Sequence, residues 1–260
     1  MLPAALVLAL FGCRKIEPAP QDVDELMHRY WTAYPSGEDA QVTALVVAGH
    51  DLLDVDNLDE PFDGTLSDLD EEEVALVGLD VDPSLASGLF FANILPCDLD
   101  VLEQILVAPD PNELYQGNYD SYERVYSSDR DAYLNRDTST VTWSTYIEGS
   151  LVGIHATEHF EGSVRYVDDD ESPFGPTLMS RSVMPEAAVL DSNSATYTQD
   201  FQIEAYYERA PGEVVHVYGV WHQLDLGAGF DDTNSDVIRF TLNLMADWDD
   251  KTAAICEDWP

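Results

Sequence analysis

Two hydrophobic periods divide the chain near residue 138. Before it, apolar residues recur every three to four positions, the spacing of one helical face; after it they recur every second position, the spacing of a strand with one buried face. Val23, Leu26, Met27, Tyr30 and Tyr34 follow the first rule, and Asp22, Asp24 and Glu25 sit where a helix N-terminus favours negative charge. Pro35-Ser36-Gly37 ends that run. Val42, Leu45, Val46, Gly49, Leu52 and Leu53 then draw a second stripe, so a helical hairpin is predicted. Asp54 to Gly64 reads as an acidic loop; Leu58 and Asp59 occupy positions where a calcium loop needs an oxygen ligand and a glycine. Ser67 reads as the N-cap of a short helix. Asp82-Pro83 predicts a helix over Leu85 to Leu95 that Pro96 stops. Asp98 caps the next, carrying Leu102, Ile105 and Leu106, and Asp110-Pro111 opens another. On that last helix Tyr115, Tyr119, Tyr122 and Tyr126 would share one face. Such a stripe either packs on a neighbouring sheet or presents an aromatic binding face.

The second half reads as consecutive strands. Val141, Trp143, Thr145 and Ile147 share a face, and a turn at Glu148-Gly149-Ser150 leads into Leu151 to Phe160. Gly162 to Val167 and Thr177 to Val183 continue the series around an acidic loop at Asp168 to Ser172. Tyr197, Phe201, Ile203, Ala205 and Tyr207 alternate with Thr198, Asp200, Gln202, Glu204 and Glu208, which predicts a half-buried strand. Ala210-Pro211-Gly212 turns into Val214 to Asp225. Ile238, Phe240, Leu242, Leu244, Ala246 and Trp248 form the last alternating face and read as a final strand. Segregated runs of helices and strands predict α+β: an N-terminal helical segment followed by an antiparallel β meander, with open sheet, sandwich and barrel all allowed. Residues 22–260 form one composite domain, helical over 22–137 and β over 138–260. The repeated hairpins resemble the START-like helix-grip sheet in outline. The period-two pattern of the last segment leaves no place for that family's long C-terminal helix, and the chain is not assigned to it.

Charge narrows the partners. The formal net charge is −40, with 11 Lys plus Arg against 51 Asp plus Glu. Such a field repels nucleic acid and anionic lipid surfaces and fits an acidic, solvated exterior.

Leu2 to Phe11 is an uncharged run, far short of the roughly 20 residues that span a bilayer. It ends Leu10-Phe11-Gly12-Cys13, which resembles a bacterial lipobox. The resemblance implies a cleaved signal peptide over 1–12, acylation of Cys13, and attachment of the protein to a membrane through that lipid. Residues 13–21, containing Pro18 and Pro20, would be the tether. Arg14 stands where an aspartate would signal inner-membrane retention, so the implied location is the cell envelope at the outer membrane. With Cys13 assigned to lipid, Cys97 and Cys256 remain, and an oxidising compartment predicts one disulfide joining the helical half to the C-terminus.

One motif points to chemistry. His155-Ala156-Thr157-Glu158-His159 resembles the inverted zinc motif of the pitrilysin-type peptidases. The resemblance implies His155 and His159 as metal ligands and Glu158 as base. On a helix, two histidines four apart can converge on one ion; on a strand they stand about 13 Å apart. The surroundings read as strand. His216 and His222 likewise share one face of a strand and could meet a histidine of a neighbouring one. The chain carries no Gly-rich phosphate loop and no G-x-S-x-G elbow, and no cofactor is expected. Two readings follow: a membrane-anchored envelope lipoprotein, non-catalytic, that binds a small ligand or a protein partner; or a zinc-dependent hydrolase. A sheet enclosing a cavity of several hundred Å3 would favour a small ligand, and a solid interior would favour surface binding.

Overall fold

The computed structural model describes residues 18–151 and 153–259. Cys13, the signal segment and most of the tether lie outside the described residues. The helical hairpin forms as its stripes predict: α1 (Val23–Ser36) and α2 (Asp39–Leu52) lie against each other. Asp22 starts α1 by accepting the Glu25 N–H. Next come β1 (Phe62–Leu66), α3 (Glu71–Ala75), β2 (Ser87–Leu95), α4 (Leu99–Leu106), α5 (Pro111–Leu114), β3 (Ser121–Tyr126) and α6 (Arg130–Leu134). The strand series is β4 (Thr140–Leu151), β5 (Ile154–Val167), β6 (Thr177–Val183), β7 (Val189–Leu190), β8 (Thr196–Ala210) and β9 (Glu213–Asp225). A long helix, α7 (Ser235–Glu257), ends the chain.

The nine strands among the described residues join one antiparallel sheet in the order β1-β2-β9-β8-β6-β5-β4-β3, with β7 beside β5. The sheet is not closed: β1 and β3 are its edges. Its two faces meet different helices. Phe201, Ile203 and Ala205 of β8, with Val217 and Trp221 of β9, join Leu26, Met27 and Trp31 of α1 in the main core. Gly219 sits in that face because a Cβ there would lie 2.6 Å from the Met27 methyl. The alternate positions face α7, where Leu89, Phe91, Val220 and Met245 form a second cluster. A third cluster at one end contains Leu95, Leu102, Tyr133 and Tyr206. Cys97 and Cys256 are joined beside it, as predicted, across 159 residues.

Four expectations need correction. The run over Leu85 to Leu95 is not a helix. Asp82 and Pro83 cap only a single 3-10 turn, Pro83–Leu85, and β2 follows. Between β1 and β9 its Leu89 to Ala92 run is buried on both faces, and such a continuous apolar run carries no period. The acidic loop Asp54 to Gly64 contains a 3-10 turn, Val55–Asn57, and the start of β1. The short helix after Ser67 starts three residues later, at Asp70, where a capping box lets the Asp70 and Glu73 side chains each accept the other's backbone N–H.

The fourth correction is the largest. Residues 238–248 are not a strand but the middle of α7. Asn234 caps it by accepting the Asp236 N–H. The residues buried on α7 are Val237, Met245, Asp249 and Thr252, a helical spacing that includes polar side chains. A reading that counted only apolar positions missed Asp249 and Thr252 because they face a polar part of the sheet. Tyr115 Oη meets Thr252 Oγ1 at 3.0 Å, and His216 Nδ1 meets Asp249 Oδ1 at 2.8 Å. The long C-terminal helix of the helix-grip outline is therefore present.

Candidate functional site: a chamber between the sheet and the last helix

Three polar residues of β8 turn inward rather than to open solvent. Asp200, Gln202 and Glu204 point toward α7, and Asp200 is only 2% exposed. They line a chamber of about 370 Å3 between the sheet and α7. Its apolar wall includes Trp143, Phe160 and Leu224 from the sheet, and Phe240, Leu244 and Trp248 from α7. A bulge in β8 recruits one more polar group. The register slips between Tyr197 and Gln199, so Tyr197 leaves the Phe201 face and enters the chamber. Its hydroxyl donates to Asp200 Oδ2.

Three chamber atoms are buried without hydrogen-bond partners: Asp200 Oδ1, His222 Nε2 and Arg124 Nε. Asp200 and His222 are cross-strand neighbours, and His222 is 4% exposed. Burial pushes the Asp200 carboxyl up to about 7, against the opposing Tyr197 hydrogen bond and the nearby Gln202 amide and with help from the Glu158 charge. Glu158, on β5, is also pushed up to about 7 by burial alone. His222 moves the other way, down to about 4, because burial disfavours its charged form. Among the described residues the one cation lining the chamber is Arg124. Its guanidinium lies 4.3 Å over Trp143 and donates to the Leu106 and Ala108 carbonyls at 2.6 and 3.0 Å.

A separate buried network fastens α7 to the sheet. His216, on β9, has no exposed surface and stacks on Tyr206 at 4.4 Å. Nδ1 pairs with Asp249 of α7 at 2.8 Å and Nε2 with Glu204 of β8 at 3.2 Å. Asn93 Nδ2 donates to the other Asp249 oxygen at 3.0 Å. Burial opposes charge on His216. The two carboxylates outweigh it, Asp249 most, and raise the imidazole to about 9.

The residues singled out from sequence are dispersed. The four tyrosines do not share a helix, because α5 ends at Leu114 and Gly117 turns the chain with φ +82°. Tyr115 stacks on Trp248, and Tyr126 donates to the Val107 carbonyl at 2.6 Å. Tyr119 and Tyr122, edge to face at 4.9 Å, do line the chamber. The inverted zinc motif lies on β5, as its surroundings suggested, and its residues diverge. Glu158 enters the chamber, whereas His155 and His159 stand on the opposite face of the strand. There His155 pairs with Asp120 at 3.6 Å, and His159 stacks on Tyr146 and pairs with Glu161 and Glu186. Among the described residues no group of three His, Cys, Asp or Glu could hold a metal ion. His216 and His222 do share a face, but the first belongs to the fastening network and the second to the chamber. Asp200 and Tyr197 were missed as site residues. Their one signal in the sequence was a polar face on a strand flanked by a bulge.

No family model and no curated protein matches the sequence. Among solved structures the chain is similar in backbone outline to human StAR-related lipid transfer protein 5. That likeness has 12% identity and a TM-score of 0.45, covering 85% of this chain and 97% of that one. A START superfamily protein from Mycobacterium smegmatis matches at 7% identity and TM-score 0.42, covering 66% and 99%. Human STARD10 matches at 10% identity and TM-score 0.43, covering 75% and 83%.

Proposed function

We propose that this protein is a binding module that holds a small amphiphilic molecule in the chamber between the sheet and α7. One observation carries the reading: a chamber of about 370 Å3 with aromatic and aliphatic walls contains buried polar atoms that no protein group satisfies. Buried polar atoms normally have partners, and leaving one without costs about 1–3 kcal/mol. A ligand that supplies the missing partner while covering Trp143, Phe160 and Leu244 recovers that energy and adds apolar burial. The divergence of His155, Glu158 and His159 gives the zinc-hydrolase alternative no support. Export and acylation at Cys13 would hold the module at the envelope, with residues 13–21 spacing it from the membrane.

Titration with the neutral solvatochromic dye prodan tests the chamber. Saturable blue-shifted fluorescence is expected from the intact protein. Thr145→Phe fills the chamber from β4, where Thr145 is buried, and should abolish the shift while leaving a cooperative melt. Dye binding that is indifferent to Thr145→Phe would place the site elsewhere. For the anchor, labelled palmitate should enter the full chain and not its Cys13→Ser variant.

A further inference from the structure

The binding reading leaves the ligand's chemistry open, and the unpartnered atoms constrain it. Asp200 Oδ1 and His222 Nε2 are both buried in the chamber without partners. Among the described residues the Glu158 carboxylate receives no hydrogen bond and no ion pair, yet its charge is felt at Asp200. Three acceptor sites therefore await a donor from the ligand, and Arg124 Nε awaits an acceptor. Two are carboxylates, and carboxylates only accept when ionised. The third is a neutral imidazole nitrogen, which accepts in one tautomer.

Among the described residues no cation forms an ion pair with these groups. Arg124 gives its Nη donors to the Leu106 and Ala108 carbonyls and the Tyr122 hydroxyl, all uncharged, and only its buried Nε is left without a partner. His216 is bound between Asp249 and Glu204. α7 faces the chamber with Phe240, Thr241, Leu244, Met245 and Trp248, none of them charged. The remaining titratable groups in the chamber are Tyr119, Tyr122, Tyr197, Tyr218 and Glu204, and Glu204 is occupied by Tyr206 and His216.

Resting on the binding reading, we propose that the ligand's polar end is a protonated primary amine seated between Asp200 and Glu158, with its carbon body against the aromatic wall. The donor count matches: an alkylammonium offers three N–H groups to two carboxylates and one imidazole nitrogen. An anionic head would meet two unpaired carboxylates. A hydroxyl has one donor and would leave at least one carboxylate unanswered. Charge-assisted bonds in a chamber shielded from water are also the stronger kind. Asp200 and Glu158 both titrate near 7 when the chamber lacks a cation, so seating an ammonium draws protons off them. Binding should release protons to the buffer near neutral pH.

The test uses the full chain with its disulfide intact and three probes of equal chain length: octylamine, octan-1-ol and octanoate. Each is titrated against bound prodan and followed by calorimetry in two buffers of different ionisation enthalpy. Octylamine should compete about tenfold or more better than octan-1-ol, as expected for hydrogen bonds to charged groups. It should release protons, and octanoate should compete least. Asp200→Asn should weaken octylamine about tenfold and leave octan-1-ol nearly unchanged; Glu158→Gln, from another strand, tests the same point if the first variant does not fold. If octan-1-ol or octanoate equals octylamine, or if both variants bind octylamine like the parent, the amine assignment is overturned and the chamber reading survives. If prodan binds but none of the three displaces it, the amine assignment is again overturned. If prodan does not bind at all and calorimetry detects none of the three, both fall.

Discussion

Replacing Asp249 by asparagine isolates the joint between α7 and the sheet. The change keeps the shape and one acceptor for His216 but removes the charge that holds an imidazolium in the interior. Two routes give the magnitude. Raising a histidine from 6.5 to about 9 corresponds to about 3 kcal/mol of preferential stabilisation of the charged form. Breaking a buried pair by deleting one partner costs about 3–5 kcal/mol in general. Both groups have no exposed side-chain surface, so no allowance for solvent screening is needed. The sign follows from the direction of the shift. A histidine raised in the folded state contributes fully below its unfolded value of 6.5, and that contribution is lost as pH rises through about 9. The parent protein should therefore lose about 3 kcal/mol from this group between about pH 6.5 and pH 10. Asp249→Asn should start about 3 kcal/mol lower at pH 6.5 and converge on the parent at high pH. Urea unfolding of both proteins, oxidised, at the two pH values reads this directly. A variant within about 1 kcal/mol of the parent at pH 6.5, or a gap that does not narrow with pH, would refute the assignment of an imidazolium to that joint.

Asp200→Asn should act in the opposite sense. Its carboxyl is raised from 3.8 to about 7, so its penalty on folding is absent below 3.8, grows as pH rises from 3.8 to about 7, and is complete above that. The variant should gain up to roughly 4 kcal/mol over the parent at about pH 8 and little at about pH 4, measured by urea midpoints. Opening the Cys97–Cys256 link with a double serine replacement should cost about 5 kcal/mol on the chain-entropy estimate for a loop of 159 residues, seen as a lower melting temperature that reductant no longer changes. Gly162→Ala should displace Trp143, because a Cβ there would lie 2.5 Å from the indole Nε1, and Trp143 walls the chamber. A loss of about 1–3 kcal/mol together with weaker prodan binding is expected; an unchanged melt would show that Trp143 can move freely.

Elements with one apolar face were legible in the sequence, and those with none or two were not. α1, α2 and β8 each bury one apolar stripe and were read correctly in type. β2 is buried on both sides, so no period distinguished it from a helix. α7 was misread because its inward face mixes Met245 with Asp249 and Thr252, and the apolar residues left over fall on alternate positions by coincidence. The same mixture hid the site. Polar residues on β8 were assigned to solvent, the default for a strand, until α7 and the sheet enclosed them. The disulfide was legible once Cys13 was set aside by the lipobox resemblance and the remaining pair was placed in an oxidising compartment. The zinc motif failed for a reason the strand spacing already contained: alternate residues point to opposite faces.

Along α7, Asp249, Thr252 and Cys256 secure the helix, whereas the residues that meet the chamber run from Phe240 to Trp248. Attachment and recognition thus occupy successive turns of one rod. Selection could rework the earlier turns to suit a different guest while the rivets behind them stay in place.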